Sequence, residues 1–138
     1  MNLNFHLKVT GVLLLLLAAA HLGFPKRFSW KEDLAKLSLL NRQIFEVHCF
    51  FIILMLALFG LLSLVYTGLL LRPDPLARVI LIGLVIFWAA RLFIQFFVYD
   101  SRLWRGDLFN TIVHVLFSLM WTYYTAIYAV TLWHQYHP

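Results

Sequence analysis

The sequence has few charged residues. Of its 138 residues, 12% are Asp, Glu, Lys or Arg, about half the share found in a soluble domain. A water-exposed surface needs roughly a quarter to a third charged residues of both signs, so a soluble globular fold is excluded. Because 63% of the residues are apolar, we expect an integral membrane protein.

Cysteine is also scarce, which excludes several kinds of covalent and metal-binding site. The single cysteine, Cys49, excludes a disulfide framework and any Cys-x-x-Cys redox or zinc motif. The sequence also lacks alternating segments of about ten residues, the pattern of transmembrane β-strands. Any membrane-spanning structure is therefore helical.

Four hydrophobic runs occupy most of the chain, at about 7–24, 44–71, 76–99 and 109–133. Each is close to or above the ~20 residues that a helix needs to cross a bilayer. We therefore predict an all-α membrane protein, an up-down bundle of four transmembrane helices forming a single domain over 1–138. The first run is interpreted as a retained span rather than a cleaved signal, because Lys8 is the only basic residue at its start.

The connectors between the runs differ in length. Prolines at 73 and 75 predict a tight turn between spans two and three, and Asp107 is placed to cap span four. The first connector is longer and carries an apolar stripe that includes Trp30 and Leu34. It predicts an amphipathic helix over about 30–41 at the membrane interface, started by a Ser29/Glu32 capping box, with a solvated loop as the alternative.

Basic residues indicate the orientation of the chain in the membrane. Seven lie in the first and third connectors, whereas the opposite side holds three. The seven are Lys26, Arg27, Lys31, Lys36, Arg42, Arg102 and Arg105, and the three are Lys8, Arg72 and Arg78. Both termini are therefore expected on the outer side of the membrane. We interpret this membrane as the inner membrane of a bacterium. The net charge of +5 is explained by attraction between these basic residues and anionic lipid headgroups. Nucleic acid is not an expected partner.

Placing an ionisable side chain inside a membrane span costs free energy, so such a residue usually marks a functional site. The candidates are His21, Glu46, His48, Arg91 and His114, with Gln95 as a neutral companion. Up-down threading places three of the histidines and the glutamine at a similar depth near the cytoplasmic side, about 6 Å into the bundle by the helical rise. Arg91 and Gln95 share one face with Trp88 and Tyr99, since they follow at three- and four-residue steps. Glu46 and Cys49 are turned away from His48.

Two kinds of redox cofactor suit this polar layer. A b-type haem would take His48 and His114 as axial ligands, with Arg91 offsetting a propionate and Gln95 or His21 nearby. Membrane cytochromes resemble this arrangement in holding haem between helices with single histidines. A quinone headgroup hydrogen-bonded by His114 and Gln95 is the other redox alternative.

A metal ion and a structural role are the remaining alternatives. His21, His48 and His114 together would form a three-histidine site for zinc, iron or copper. A non-enzymatic accessory or assembly subunit of a larger membrane complex, or a homo-oligomer, would instead pair Arg91 with an acid from its partner. In that case the histidines are hydrogen-bonding residues near the ends of the spans.

Overall fold

The computed structural model describes residues 2–27, 29–100, 102, 104 and 106–137, with only the backbone of Arg27. Helices form throughout these residues, which contain no strand. In chain order they are α1 (Leu3–His21), α2 (Phe24–Arg27), α3 (Trp30–Leu34), α4 (Leu39–Val65), α5 (Thr67–Leu71), α6 (Pro75–Phe97) and α7 (Leu108–Tyr136). Four of them, α1, α4, α6 and α7, are long and apolar enough to cross a membrane. The prediction of an all-α membrane protein with four long apolar helices is therefore confirmed. Arg105, counted above among the basic residues, lies outside the described residues.

Two aspartates start the long helices of the second half of the chain. The carboxylate of Asp107 accepts hydrogen bonds from the backbone N–H of Phe109 at 2.9 Å and of Asn110 at 3.3 Å. Asp74 caps α6 in the same way, and Pro75 occupies its first turn. A proline there costs nothing, because the first N–H groups of a helix have no intrahelical acceptor. The cap predicted at Asp107 is confirmed.

The helix expected over 30–41 is shorter than predicted. The α3 helix ends at Leu34, and residues 39–41 already belong to α4, whose amino-terminal cap is Ser38. The prediction of a capping box at Ser29 is wrong. Ser29 adopts a left-handed conformation (φ 51°), and its side chain makes no capping hydrogen bond. A capping serine needs extended backbone angles to reach the first N–H groups of its helix. The helix therefore restarts at Ser38, where the side chain accepts from the N–H of Asn41.

The chain forms two compact units, which we call the α1–α4 unit (Leu7–Thr67) and the α6–α7 unit (Met1–His6 with Gly68–Pro138). In the α6–α7 unit the two long helices run antiparallel around a core that includes Trp88, Trp121 and Tyr124. This confirms that spans three and four are neighbours. The up-down order of all four spans and the single-domain organisation stay predictions.

Inside the α1–α4 unit, two glycines let α1 and α4 approach closely. A Cβ atom on Gly11 would lie 2.7 Å from the backbone nitrogen of Leu64 and 2.8 Å from the carbonyl oxygen of Gly60. Both neighbours are backbone atoms, so only separation of the helices could relieve the overlap. Close approach at small residues is the usual way in which membrane helices gain packing energy.

We expect Gly11→Ala to destabilise the protein, because its methyl group forces α1 and α4 apart. The matched control is Gly83→Ala, since a Cβ atom there meets nothing within 4 Å and alanine improves helix propensity by up to ~1 kcal/mol. Thermal unfolding in mild detergent should show a lower midpoint for the first variant and an unchanged or higher midpoint for the second. Equal midpoints for the two variants would contradict the close contact.

Candidate functional site

Three of the predicted site residues contact one another between α6 and α7. Nη1 of Arg91 donates to Oε1 of Gln95 at 3.3 Å, and Nε2 of Gln95 lies 2.7 Å from Nδ1 of His114. The indole Nε1 of Trp121 also donates to Oε1 of Gln95, at 3.2 Å. Gln95 is 5% exposed and stands at the centre of this cluster, which we call the Gln95 cluster.

The two donors around Gln95 determine how its amide is oriented. Arg91 and the Trp121 indole can only donate hydrogen bonds, so the atom that faces them both is the amide oxygen. The amide nitrogen must then face His114. An amide nitrogen only donates, so Nδ1 of His114 is the acceptor in this hydrogen bond.

This hydrogen bond also fixes the tautomer of His114. In a neutral imidazole one nitrogen carries the proton and the other accepts. Because Nδ1 accepts from Gln95, the proton lies on Nε2. His114 therefore offers an N–H donor at Nε2 and has no lone pair there for a metal ion.

Aromatic rings surround the polar centre of the cluster. Trp104 stacks on the imidazole of His114 with ring centroids 3.8 Å apart and planes inclined by 10°, and its carbonyl accepts a hydrogen bond from the hydroxyl of Thr111 at 2.7 Å. The guanidinium of Arg91 lies 4.8 Å from the ring centroid of Trp121 and 5.5 Å from that of Tyr99. Such cation–π contacts are stronger in a desolvated site than in water.

The sequence predicted part of this cluster and missed the rest. Trp88, Arg91 and Gln95 all contact Trp121 of α7, so they share one face of α6 as their spacing indicates. Tyr99 lies beyond the end of α6 at Phe97, although its ring centroid is still 5.5 Å from the guanidinium of Arg91. Trp104 is a typical interfacial tryptophan by its position after a span, and no local pattern pairs it with His114. The only signal was the short connector, which keeps residue 104 close to the first turns of α7.

Predicted ligands His21 and His48 lie in the α1–α4 unit. Nδ1 of His21 lies 2.8 Å from the carbonyl oxygen of Leu17, and Nδ1 of His48 lies 2.7 Å from that of Ile44. A carbonyl oxygen only accepts, so in both rings Nδ1 donates to the carbonyl one turn earlier on its own helix. Within the described residues, no group of three or more His, Cys, Asp or Glu side chains could hold a metal ion.

No protein-family model, curated protein or solved structure matches this chain. The Gln95 cluster presents donors: the Nε2–H of His114 and the guanidinium N–H groups of Arg91 that Gln95 does not use. Flat aromatic rings lie beside these donors, which suits a ligand that combines hydrogen-bond acceptors with a planar ring.

Proposed function

We propose that the Gln95 cluster binds the headgroup of a lipid-soluble quinone. A quinone carries two carbonyl oxygens, which only accept hydrogen bonds, on a flat ring that stacks on aromatic side chains. The observation that carries the proposal is the orientation of the Gln95 amide, because it makes His114 a donor beside the cationic Arg91. Trp104 and Tyr99 provide the neighbouring aromatic surfaces.

The same geometry argues against His114 as an axial ligand of haem or as a metal ligand. Iron and zinc bind the lone pair of a neutral imidazole nitrogen. Nδ1 of His114 is engaged by Gln95 and Nε2 is protonated, so neither nitrogen has a lone pair to give. Of the redox cofactors predicted from the sequence, the donor set of the cluster favours the quinone.

Quinone binding is measured most directly by quenching of tryptophan fluorescence. Titrating the full chain in mild detergent with a short-chain benzoquinone or naphthoquinone should give saturable quenching. His114→Phe keeps a ring against Trp104 and removes the N–H, so we expect its affinity to fall about tenfold, the effect of ~1.4 kcal/mol. The matched control is His137→Phe, since His137 stacks on Trp133 at the other end of α7 with ring centroids 4.1 Å apart.

Two outcomes would contradict the proposal. One is quenching by quinone that does not saturate and equals that of free tryptophan in the same detergent. The other is equal affinity for the His114→Phe and His137→Phe variants. A Soret band in the purified protein would instead support the haem alternative.

One observation favours the alternative of a subunit in a larger complex. Arg91 is half-buried and makes no ion pair with any described residue, and a buried charge in a membrane usually has a partner. An acidic residue of a partner protein would satisfy it as well as a ligand does. Under this alternative, Arg91→Leu releases a co-purifying partner, whereas under the quinone proposal it weakens quinone binding and leaves the composition of the purified protein unchanged.

We also propose that both termini lie outside a bacterial inner membrane and that α3 rests at the opposite interface. The seven-to-three distribution of basic residues supports this orientation. The α3 helix carries Trp30 and Leu34 beside Lys31 and Glu32, a composition typical of the headgroup region.

A further inference from the structure

A groove of about 760 Å³ lies inside the α1–α4 unit, between α3 and the first half of α4. Its apolar lining includes Trp30, Leu34, Phe45, Phe50 and Ile53. Trp30 packs edge-on against Phe45, with ring centroids 5.0 Å apart. This volume lies within the ~300–1,000 Å³ typical of sites for small organic ligands.

Two cations and one anion lie among the lining residues. Lys31 and Arg42 contribute positive charge, and Glu46 contributes the negative charge. Arg42 is half-buried, and it has no hydrogen bond or ion pair to another side chain among the residues that the structure describes. By contrast, Lys36 on the same connector is paired with Asp33 at 2.9 Å. The groove therefore has a net positive charge and an unpaired guanidinium.

The length of α4 indicates where the guanidinium of Arg42 lies in the bilayer. At 27 residues, α4 is ~40 Å long, about 10 Å more than the hydrocarbon core. Its polar residues are concentrated in the first turns, so this is the end that extends to the headgroups. From Leu39 to Ile53 the groove follows α4 for ~20 Å by the helical rise, about the thickness of one leaflet with its headgroups.

We propose that this groove binds one anionic phospholipid, with its phosphate on Arg42 and Lys31 and an acyl chain along Trp30, Phe50 and Ile53. Arginine binds phosphate oxygens through paired, charge-assisted hydrogen bonds, and basic residues beside a span attract anionic headgroups. A zwitterionic lipid offers the same phosphate but adds a cation, which the net positive charge of the groove disfavours. The inference is independent of the quinone proposal, because it concerns other residues in the other unit.

Native mass spectrometry of the full chain tests the proposal with phosphatidylglycerol and phosphatidylcholine of identical acyl chains. The natural protein should retain one phosphatidylglycerol in preference to phosphatidylcholine. Arg42→Gln should reduce that retention about tenfold, the effect of losing one charge-assisted contact, and Arg42→Lys should restore part of it. Arg72→Gln is the matched control, because Arg72 is an exposed arginine in the turn before α6.

The single cysteine gives a second readout, since Cys49 lines the groove. Phosphatidylglycerol in the bilayer should slow alkylation of Cys49 by N-ethylmaleimide more than phosphatidylcholine does. If the slowing came only from the negative surface potential, it would persist in Arg42→Gln, and that result would overturn the proposal. Equal retention of the two lipids would overturn it as well. Should Arg42→Gln fail to fold, Ile53→Trp fills the groove without changing a charge and should also lose the lipid.

Discussion

Replacing Gln95 by leucine is expected to abolish quinone binding and to lower the stability of the protein. Leucine leaves the Trp121 indole N–H, the Arg91 guanidinium and Nδ1 of His114 without the partner that joins them. Leaving a buried polar group unpaired costs about 1–3 kcal/mol. Without the amide, nothing holds the ring proton of His114 on Nε2, so the donor that the quinone needs is no longer oriented.

A second buried glutamine separates loss of function from loss of stability. Gln135 is 3% exposed, and its Nε2 donates to the carbonyl oxygen of Leu70 at 2.6 Å, also within the α6–α7 unit. Gln135→Leu removes a single side-chain hydrogen bond, so it should lower the unfolding midpoint less than Gln95→Leu does, and it should leave quinone affinity unchanged. Thermal unfolding and fluorescence quenching on the same samples measure both effects. If both variants lose binding equally, Gln95 acts only through stability.

The largest loss of stability is expected from Trp121→Ala. The Trp121 ring is 4% exposed and stacks on Trp88 and Phe117, with centroids 5.2 and 5.4 Å away. Removing a buried indole from a packed core costs about 3–5 kcal/mol. Trp121→Phe keeps an aromatic ring but loses the hydrogen bond to Gln95 and part of the buried ring volume, so a smaller loss of about 1–2 kcal/mol is expected.

Trp133→Ala is the matched control for this comparison. Trp133 lies on the same helix, but its side chain is 66% exposed, so its removal leaves no cavity. Denaturation with increasing sodium dodecyl sulfate, followed by far-ultraviolet circular dichroism, compares the unfolding free energies of the three variants. Similar losses for Trp121→Ala and Trp133→Ala would show that the Trp121 stack does not stabilise the protein.

Local sequence patterns were sufficient to predict the long helices and the residues at which some of them begin. A run of about twenty apolar residues has one stable conformation in a bilayer, because only a helix satisfies every backbone group internally. Asp107 could be identified as a cap because a short acceptor before a helix binds the first N–H groups of that helix. Spacing placed Arg91 and Gln95 on one face of α6 for the same local reason.

The first connector shows where local patterns fail. Ser29 and Glu32 have the spacing of a capping box, and the apolar stripe continues to Leu40. A capping signature depends on backbone angles that the side chains alone do not specify, and Ser29 adopts the left-handed region. Ser38 competes for the same role and starts α4 instead.

The sequence by itself determined the membrane class, the four long apolar helices and the presence of Arg91, Gln95 and His114 as polar residues within them. Only the tertiary structure decided that these three meet, that Trp104 stacks on His114 and that the imidazole proton lies on Nε2. Helix formation and facing depend on residues within a few turns of one another. A tautomer depends on the hydrogen-bond partners that packing brings together, here on Trp121 and Arg91 facing the same amide oxygen of Gln95.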